Sequence, residues 1–257
     1  MDALIRTQLI IGREALSRLG QCRVALFGLG GVGGYALEAL VRFGIGSFLL
    51  VDNDIFSESN LNRQILATRE SLGRKKTEVA KQRALSIRPE CSIETRDCFF
   101  LPETRDSFDL SGFDYIIDAI DTVTGKLALI QAAQEAGVPV ISCMGTGNKM
   151  DLRALRVAQI HQTSVCPLAR VMRREYKKRG LKPFPVVFSL EPPRSPRQEE
   201  RQWLEAEQKA RAKKGLGRKD IPGSSPFVPA AAGLLLAQTV AEELLRQNER
   251  GCEKIAP

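Results

Sequence analysis

The sequence predicts an α/β fold of the doubly wound type, in which helices cover both faces of a mainly parallel β-sheet. Short apolar runs rich in β-branched residues alternate with longer segments whose apolar residues recur at helical spacing. Such alternation is typical of βαβ units, which assemble parallel sheets. The chain has 257 residues, of which 43% are hydrophobic, so it is large and apolar enough to bury a substantial core.

The predicted elements follow one another in chain order. In the first half, the predicted strands are 24–27, 48–51, 92–95, 115–118 and 138–142. The predicted helices between them are 35–43, 75–86 and 126–135. In the second half we predict strands at 155–160 and 186–190, a strongly basic helix at 168–179, and a C-terminal helix at 227–245 that packs on the sheet.

Residues 192–223 differ in composition from the rest of the chain. They are rich in Pro, Arg, Lys and Glu, and only Trp203 and Leu204 are bulky apolar residues near the centre of the segment. This composition predicts an exposed basic insertion within one domain that spans residues 1–257.

Neither a secretory leader nor a membrane span is predicted. No basic-then-apolar leader is present, and no apolar run approaches the roughly 18 residues of a spanning helix. We therefore expect a cytoplasmic protein. The six cysteines are scattered without a CxxC pair and there is one histidine, which disfavours structural zinc and favours reduced thiols.

The chain is basic, with 38 Lys and Arg residues against 30 Asp and Glu and a formal net charge of +8. A positive surface attracts polyanions such as nucleotides and RNA, but a basic surface is equally typical of proteins that bind neither. The net charge therefore does not decide the function.

A GxGxxG pattern follows the first predicted strand and begins the first predicted helix. Gly28 permits a tight turn, Gly30 and its neighbour Gly31 let the backbone approach a phosphate, and Gly33 allows close helix–strand packing. Asp52 ends the second predicted strand, where a carboxylate can accept hydrogen bonds from ribose hydroxyls. Together these residues predict a Rossmann-like nucleotide site.

An NAD-dependent oxidoreductase would use the same strand, turn and helix, so it is the first alternative. The polar segment 52–64 argues against it, because it brings cationic and polar groups to the phosphate end of the site. Arg63, and Lys76 further along the chain, have the charge needed to neutralise a triphosphate.

The pattern D-x-D, then S-N-x-x-R-Q, then a lysine resembles the adenylation site of ubiquitin-activating enzymes and molybdopterin-synthase adenylyltransferases. The residues that carry this pattern are Asp52, Asp54, Ser59, Asn60, Arg63, Gln64 and Lys76. The resemblance implies that Asp52 binds the ribose of ATP and that Asp121 binds Mg²⁺. The implied phosphate ligands are Asn60, Arg63 and Lys76.

In that family an arginine near the N-terminus reaches the nucleotide of the partner subunit. Arg6, ahead of the segment Q-L-I-I-G at 8–12, occupies the corresponding place, so the resemblance implies a homodimer. The candidate catalytic residues are therefore Arg63, Lys76, Asp121 and Arg6. Asp118, three residues before Asp121, is either functional or a strand-end carboxylate bonded to backbone amides.

Members that activate a ubiquitin-like C-terminus commonly carry paired CxxC zinc ligands, which this chain lacks. Segments 118–123, 142–151 and 163–173 resemble instead the tRNA threonylcarbamoyladenosine dehydratases, and the likeness extends over essentially the whole chain. It implies that ATP activates the carboxylate of threonylcarbamoyladenosine at position 37 of tRNA, as an acyl adenylate or acyl phosphate, of which we favour the adenylate. The carbamoyl oxygen then closes a ring with net loss of water, and this tethered attack needs no enzyme nucleophile.

Two further features each have a functional and a structural interpretation. Cys166 is either a nucleophile or a residue that caps and packs against the next helix, and we favour packing because the chemistry is complete without a thiol. The basic residues near the fourth predicted helix form either an RNA-docking surface, on which Tyr176 stacks against a base, or a solvated face. These basic residues are Arg170, Arg173, Arg174, Lys177, Lys178, Arg179 and Lys182. The resemblance favours RNA docking.

A sulfur-carrier adenylyltransferase and a non-catalytic nucleotide-binding subunit stay open as alternatives. The complete set of Asp52, Arg63, Lys76 and Asp121 argues against the second. The candidate partners are tRNA, a second copy of the chain and a sulfur-relay protein.

Overall fold

The computed structural model describes residues 3–195, 197–200, 202–203 and 222–253, with side chains of the last helix described as far as residue 247. The strands are β1 (Arg23–Phe27), β2 (Ser47–Val51), β3 (Ser92–Arg96), β4 (Tyr115–Asp118), β5 (Val140–Cys143), β6 (Leu155–Gln159) and β7 (Pro185–Ser189). The helices are α1 (Ile5–Ile11), α2 (Arg13–Leu19), α3 (Gly33–Phe43), α4 (Lys76–Ile87), α5 (Val123–Glu135), α6 (Pro167–Lys178) and α7 (Phe227–Glu253).

These seven strands form one sheet in the order β3-β2-β1-β4-β5-β7-β6. Each pairing is parallel except that of β6 with β7, which is antiparallel. The predicted fold class is therefore confirmed. From β1 the chain adds β2 and β3 towards one edge of the sheet, and from β4 it adds the later strands towards the other edge. Sheets of this kind bind ligands in the crevice at the point where the order reverses, which here lies between β1 and β4.

The sheet is buried on both faces because its central strands are apolar at consecutive positions. In β1, Val24 and Leu26 belong to one apolar cluster, whereas Ala25 and Phe27 belong to the other. Helices α3, α4 and α7 contribute to the first cluster, and α5 and α6 contribute to the second. Burial on both faces explains why the strands appear in the sequence as continuous apolar runs.

The C-terminal helix α7 packs on one face of the sheet, as predicted, and also contacts α3. A Cβ on Gly233 would lie 2.3 Å from the carbonyl oxygen of Val32, so the two elements approach closely. The stretch Phe227–Gln247 is long and apolar enough to cross a membrane by length and composition, and 50% of its most apolar window is buried by the rest of the chain. A buried core helix passes the same test, so this stretch alone does not indicate a membrane span.

The register brings three strand ends level. Phe27 of β1 pairs with Val51 of β2 and with Asp118 of β4. Gly28, Asp52 and Ala119 consequently follow at the same edge of the sheet. This edge, at the carboxyl ends of the strands, is where the predicted nucleotide motif lies.

The N-terminal segment differs from the sequence prediction, and the predicted basic insertion can be compared with the structure only in small part. No element was predicted before β1, yet α1 and α2 form there, and α1 has no buried residue. The expected basic insertion at 192–223 lies largely outside the described residues.

Candidate nucleotide-binding site

The turn between β1 and α3 is built for close approach of backbone. Gly28 has a φ of +93°, and a Cβ there would lie 2.5 Å from the carbonyl oxygen of Ala119. A Cβ on Gly33 would lie 1.8 Å from the carbonyl oxygen of Gly28, so both positions require glycine. Around Gly30 there is more space, since the nearest atom to its Cβ position is Gln64 Nε2 at 3.9 Å. The turn thus presents open backbone at the start of α3, a place suited to phosphate.

Asp52 ties the end of β2 to this turn. Its Oδ2 accepts a hydrogen bond from the backbone N–H of Leu29 at 2.6 Å, and its Oδ1 accepts one from the N–H of Asp54 at 2.8 Å. Each carboxylate oxygen retains capacity for another donor. Asp52 therefore orients the turn and still has acceptor capacity for a ribose hydroxyl.

Lys76 begins α4 and points into the site region rather than into solvent, with 5% exposure. Its Nζ lies 3.1 Å from Oδ2 of Asp54, and its backbone N–H donates to the carbonyl oxygen of Asp54 at 3.0 Å. The two predicted residues are thus brought together. The pairing fixes where the ammonium lies while leaving its other donors for a ligand.

Arg63 and Gln64 pack against the glycine-rich turn. A Cβ on Gly31 would lie 3.4 Å from Cγ of Arg63, and burial lowers the pKa of the Arg63 guanidinium. Gln64 is 6% exposed, and its Oε1 is buried without a hydrogen-bond partner among the described residues. The Nε2 of the same amide is the atom nearest to the Cβ position of Gly30, so Gln64 lines the space beside the turn.

The short helical turn Glu58–Asn60 holds the side chain of Arg63 by a hydrogen bond. Asn60 Oδ1 accepts a hydrogen bond from the N–H of Ser57 at 3.0 Å, and Arg63 Nη1 donates to the carbonyl oxygen of Ser59 at 2.7 Å. Arg63 also donates to Oδ1 of Asn62 at 2.9 Å. Asn60 and Ser59 are therefore close to Arg63, and their hydrogen bonds shape the loop that carries it.

Asp121 lies between β4 and α5 at the same edge of the sheet, and its side chain is exposed. Among the described residues, no group of three or more His, Cys, Asp or Glu side chains is placed to hold a metal ion. A lone exposed carboxylate nevertheless fits Mg²⁺, which is commonly held by one or two carboxylates together with substrate phosphates.

Asp118, which ends β4, belongs to a fully buried network that includes a residue the sequence interpretation missed. Its Oδ1 accepts from the N–H of Ile120 at 3.0 Å. Its Oδ2 accepts from Lys126 Nζ at 3.1 Å and from Ser142 Oγ at 2.5 Å. Asp118 is thus a structural carboxylate. No periodic pattern signals Lys126, because a lysine inside an apolar helix looks like a solvent-facing position.

Arg6 lies on α1, away from the other predicted residues. Leu4, two residues before it, would be 3.5 Å from a Cβ on Gly44, which caps the C-terminal end of α3. The glycine-rich turn is at the other end of that 11-residue helix, about 16 Å away. The exposed side chain of Arg6 is therefore distant from the nucleotide site of its own chain.

The loop after β5 joins the site to the chain segment before α7. Asn148 exchanges two 2.7 Å hydrogen bonds with Gly223, and Asn62 Nδ2 donates to the carbonyl oxygen of Ser224 at 3.2 Å.

Cys166 directly precedes α6 and is 1% exposed. The residue before it, Val165, has a φ of 61°, which is unusual for a β-branched residue. The thiol is therefore packed inside the protein, as the structural interpretation expects.

One prediction for the basic helix was wrong. Tyr176 does not stack on a base, because it is 4% exposed and packs edge-on against Phe184 with ring centroids 6.0 Å apart. Arg173 is half-buried, and its Nη1 donates to the carbonyl oxygen and to Oγ1 of Thr163 at 2.7 and 2.6 Å, so this side chain is held against the protein. Both side chains belong to the side of α6 that faces the protein.

The chain is similar to known proteins over almost its whole length. The model of the ThiF family matches residues 2–250. The chain is 38% identical over 245 residues to a tRNA threonylcarbamoyladenosine dehydratase of Bacillus subtilis, and the match covers 95% of each chain. It superposes with a TM-score of 0.83 and 29% identity on the E. coli tRNA N6-threonylcarbamoyladenosine dehydratase in complex with ATP, covering 96% of this chain and 95% of that one.

A match to a protein of the alternative type is shorter. The chain is 33% identical over 143 residues to an adenylyltransferase and sulfurtransferase of Candida glabrata, which covers 56% of this chain and 33% of that protein. The likeness is limited to a part of each protein, in contrast to the near-complete match with the dehydratases.

Proposed function

The chain belongs to the ThiF family, and on that premise we propose that it is an ATP-dependent tRNA threonylcarbamoyladenosine dehydratase. The observation that carries the proposal in this chain is the assembly of Arg63 and Gln64 against the glycine-rich turn, where Gly30 leaves space for a phosphate. The near-complete match to dehydratases, against a partial match to the sulfurtransferase type, supports this choice over the alternative.

In the proposed reaction the site binds ATP across the edge formed by β1, β2 and β4. The backbone near Gly30 receives phosphate, Asp52 accepts from the ribose, and Arg63 and Lys76 balance the charge of the triphosphate. Charge on the phosphates changes as pyrophosphate leaves, so cations held in place by neighbours stabilise the transition state without having to reorganise. The 3.1 Å contact of Lys76 with Asp54 and the 2.7 Å bond of Arg63 to the Ser59 carbonyl provide that fixed placement.

Magnesium would be held by Asp121 and by phosphate oxygens of the nucleotide. When bound, the ion neutralises phosphate charge. The exposed position of Asp121 after β4 supports this assignment, since the residue lies at the edge of the sheet where the nucleotide is proposed to bind.

The substrate carboxylate attacks the α-phosphorus of ATP, forming an acyl adenylate and releasing pyrophosphate. The carbamoyl oxygen of the same substituent then attacks the acyl carbon, AMP leaves, and one proton is lost from the ring-forming group. The sum is loss of one water from the substrate, accepted by conversion of ATP into AMP and pyrophosphate. Because both reacting groups belong to one substituent, ring closure needs positioning rather than an enzyme nucleophile. The burial of Cys166 is consistent with this scheme.

We further propose that the active form is a homodimer in which Arg6 acts in the site of the partner subunit. Helix α1 has no buried residue, and its Leu9 and Ile10 are 80% and 84% exposed. Adjacent large apolar side chains that are this exposed are typical of an interface. The separation of Arg6 from its own glycine-rich turn supports action in trans. Since the substrate is tRNA, we place the reaction in the cytoplasm.

The experiment that tests this function is nucleoside mass spectrometry on tRNA from a strain that lacks the gene. We expect the cyclic form of threonylcarbamoyladenosine to disappear and the open form to accumulate, and expression of the wild-type chain to restore the cyclic form. Unchanged cyclic nucleoside in the deletion strain, with no other dehydratase gene present, contradicts the proposal. Loss of a thiolated nucleoside or sulfur-containing cofactor instead favours the sulfur-carrier alternative.

A further inference from the structure

Four basic side chains form one exposed row along α6. Arg170, Arg174, Lys177 and Lys178 are all exposed and occupy positions i, i+4, i+7 and i+8, which lie on one side of a helix. We call these four residues the α6 row. The other side of α6 packs into the core, so the helix is anchored to the sheet and holds the row on a rigid support.

Most of the charge of the α6 row is not neutralised by neighbouring carboxylates. Arg174 forms an exposed ion pair with Glu175 at 3.1 Å, and within the described ranges no ion pair involves Arg170, Lys177 or Lys178. By contrast, Arg83 on α4 is an exposed arginine that forms an ion pair with Glu38. The row therefore presents at least three free positive charges to solvent, a pattern suited to a polyanion.

The α6 row begins close to the nucleotide site. A Cβ on Gly145, which closely follows β5, would lie 3.7 Å from Cβ of Leu168 and 3.8 Å from Sγ of Cys166 at the start of α6. Strands β4 and β5 are neighbours with parallel register, so Gly145 lies at the same sheet edge as Asp121. At about 1.5 Å per residue, the row from Arg170 to Lys178 extends about 12 Å along the helix, away from this edge of the sheet.

We propose that the α6 row binds the phosphate backbone of the tRNA anticodon stem-loop while the modified adenosine occupies the site, an inference that rests on the proposed function. A base at position 37 lies in the anticodon loop, so the attached stem must pass over the surface next to the site. At about 3.4 Å of axis per phosphate on each strand, about 12 Å corresponds to roughly three or four nucleotides. Phosphate contacts fix orientation without reading sequence, which leaves recognition of the base to the site itself.

The test compares two charge-matched double variants in tRNA binding across a salt series. Arg170→Gln/Lys177→Gln removes two cations of the α6 row, and Lys81→Gln/Arg246→Gln removes two exposed cations from α4 and α7 on the other face of the sheet. We expect the first variant to bind tRNA roughly tenfold more weakly and to lower the slope of log affinity against log salt by about two units. The control should keep the wild-type slope.

Affinity for ATP and the rate of dehydration at saturating tRNA should stay unchanged in both variants, while KM for tRNA rises in the α6 variant alone. Wild-type affinity and slope in the α6 variant, or equal weakening in the control, overturn the proposed docking surface. If the α6 variant binds tRNA as the wild type does but binds an acidic protein more weakly, the proposed tRNA-docking surface is overturned as well. If the wild-type chain binds no tRNA and dehydrates none, the proposed function itself fails, which is a separate outcome.

Discussion

Lys126 Nζ lies 3.1 Å from Asp118 Oδ2, and both side chains are completely buried. Lys126 also donates to the carbonyl oxygen of Cys143 at 2.7 Å and to Ser142 Oγ at 3.2 Å. The network joins β4, β5 and α5 directly beneath the loop that carries Asp121. Within it each charge depends on the other, because a buried ion is costly when it has no counter-ion.

Replacing Lys126 with methionine should therefore destabilise the protein strongly. We expect Lys126→Met to lower the free energy of unfolding by about 3–5 kcal/mol, since it leaves the Asp118 carboxylate buried and unpaired. Urea unfolding measures this. Lys126→Met combined with Asp118→Asn should recover much of the loss, and Lys81→Met on the exposed side of α4 should change stability by less than about 0.5 kcal/mol. Equal effects of Lys126→Met and Lys81→Met would show that the network does not stabilise the fold.

The buried thiol gives a prediction about chemistry. Cys166→Ala should keep the wild-type rate of ATP-dependent dehydration within about threefold, because ring closure needs no covalent intermediate with the enzyme. Stability should fall by roughly 1 kcal/mol, as expected for loss of a buried small side chain. A folded Cys166→Ala protein with no turnover would indicate a catalytic thiol.

Arg6 should act across the dimer. Arg6→Ala and Lys76→Ala are each expected to have little turnover alone, whereas mixed dimers contain one intact composite site out of two. Statistical mixing makes about half of the dimers mixed, so activity should return to about one quarter of the wild-type value. The measurement is turnover after subunit exchange, with the unmixed variants as baseline. Mixed dimers without restored activity would rule out action in trans.

Glu38 predicts a pH dependence of stability. Burial raises the pKa of this carboxyl, but hydrogen bonds from Arg83 and Arg42 outweigh burial and hold the pKa below its ordinary value of 4.5. A lowered folded-state pKa means that the stabilisation is present above pH 4.5 and is lost as the pH falls through the folded-state value.

Glu38→Gln should accordingly remove part of the pH dependence of the unfolding free energy below pH 4.5, and it should destabilise the protein at pH 7. Urea unfolding at several pH values checks both effects. A wild-type pH profile in Glu38→Gln would show that the contacts of Glu38 with α4 do not contribute to stability.

The central strands and helices could be predicted because both faces of the sheet are buried there, so each central strand is a continuous apolar run between turn residues. Helix α1 was missed for the opposite reason, since none of its residues is buried by the rest of the chain. Its Leu9 and Ile10 are 80% and 84% exposed, and periodicity predicts a helix best when one face packs on a core.

The assembly of the site was also largely predictable, because the level ends of β1, β2 and β4 bring Gly28, Asp52 and Asp121 to one edge. The burial of Tyr176 could have been predicted from the spacing of apolar residues in its helix. Ala169, Met172 and Tyr176 recur at i, i+3 and i+7, which is the spacing of an inward face, and the basic residues around them concealed that signal. The burial of Lys126 could not be predicted from the spacing of residues in α5, because its partners Asp118 and Ser142 lie on the strands β4 and β5.

The most direct test of the account is dehydration by the purified chain, measured by mass spectrometry of nucleosides from tRNA that contains threonylcarbamoyladenosine. With ATP and Mg²⁺, the wild-type protein should form one cyclic nucleoside for each AMP and pyrophosphate released. Arg63→Ala and Lys76→Ala should lower the rate roughly 100-fold or more with little change in fold, because each removes a phosphate contact needed in the transition state. Arg69→Ala, an exposed arginine paired with Glu58, is the matched control and should keep wild-type turnover. Wild-type rates in both Arg63→Ala and Lys76→Ala, or cyclic product without ATP consumption, would contradict the assignment of this edge as the adenylation site.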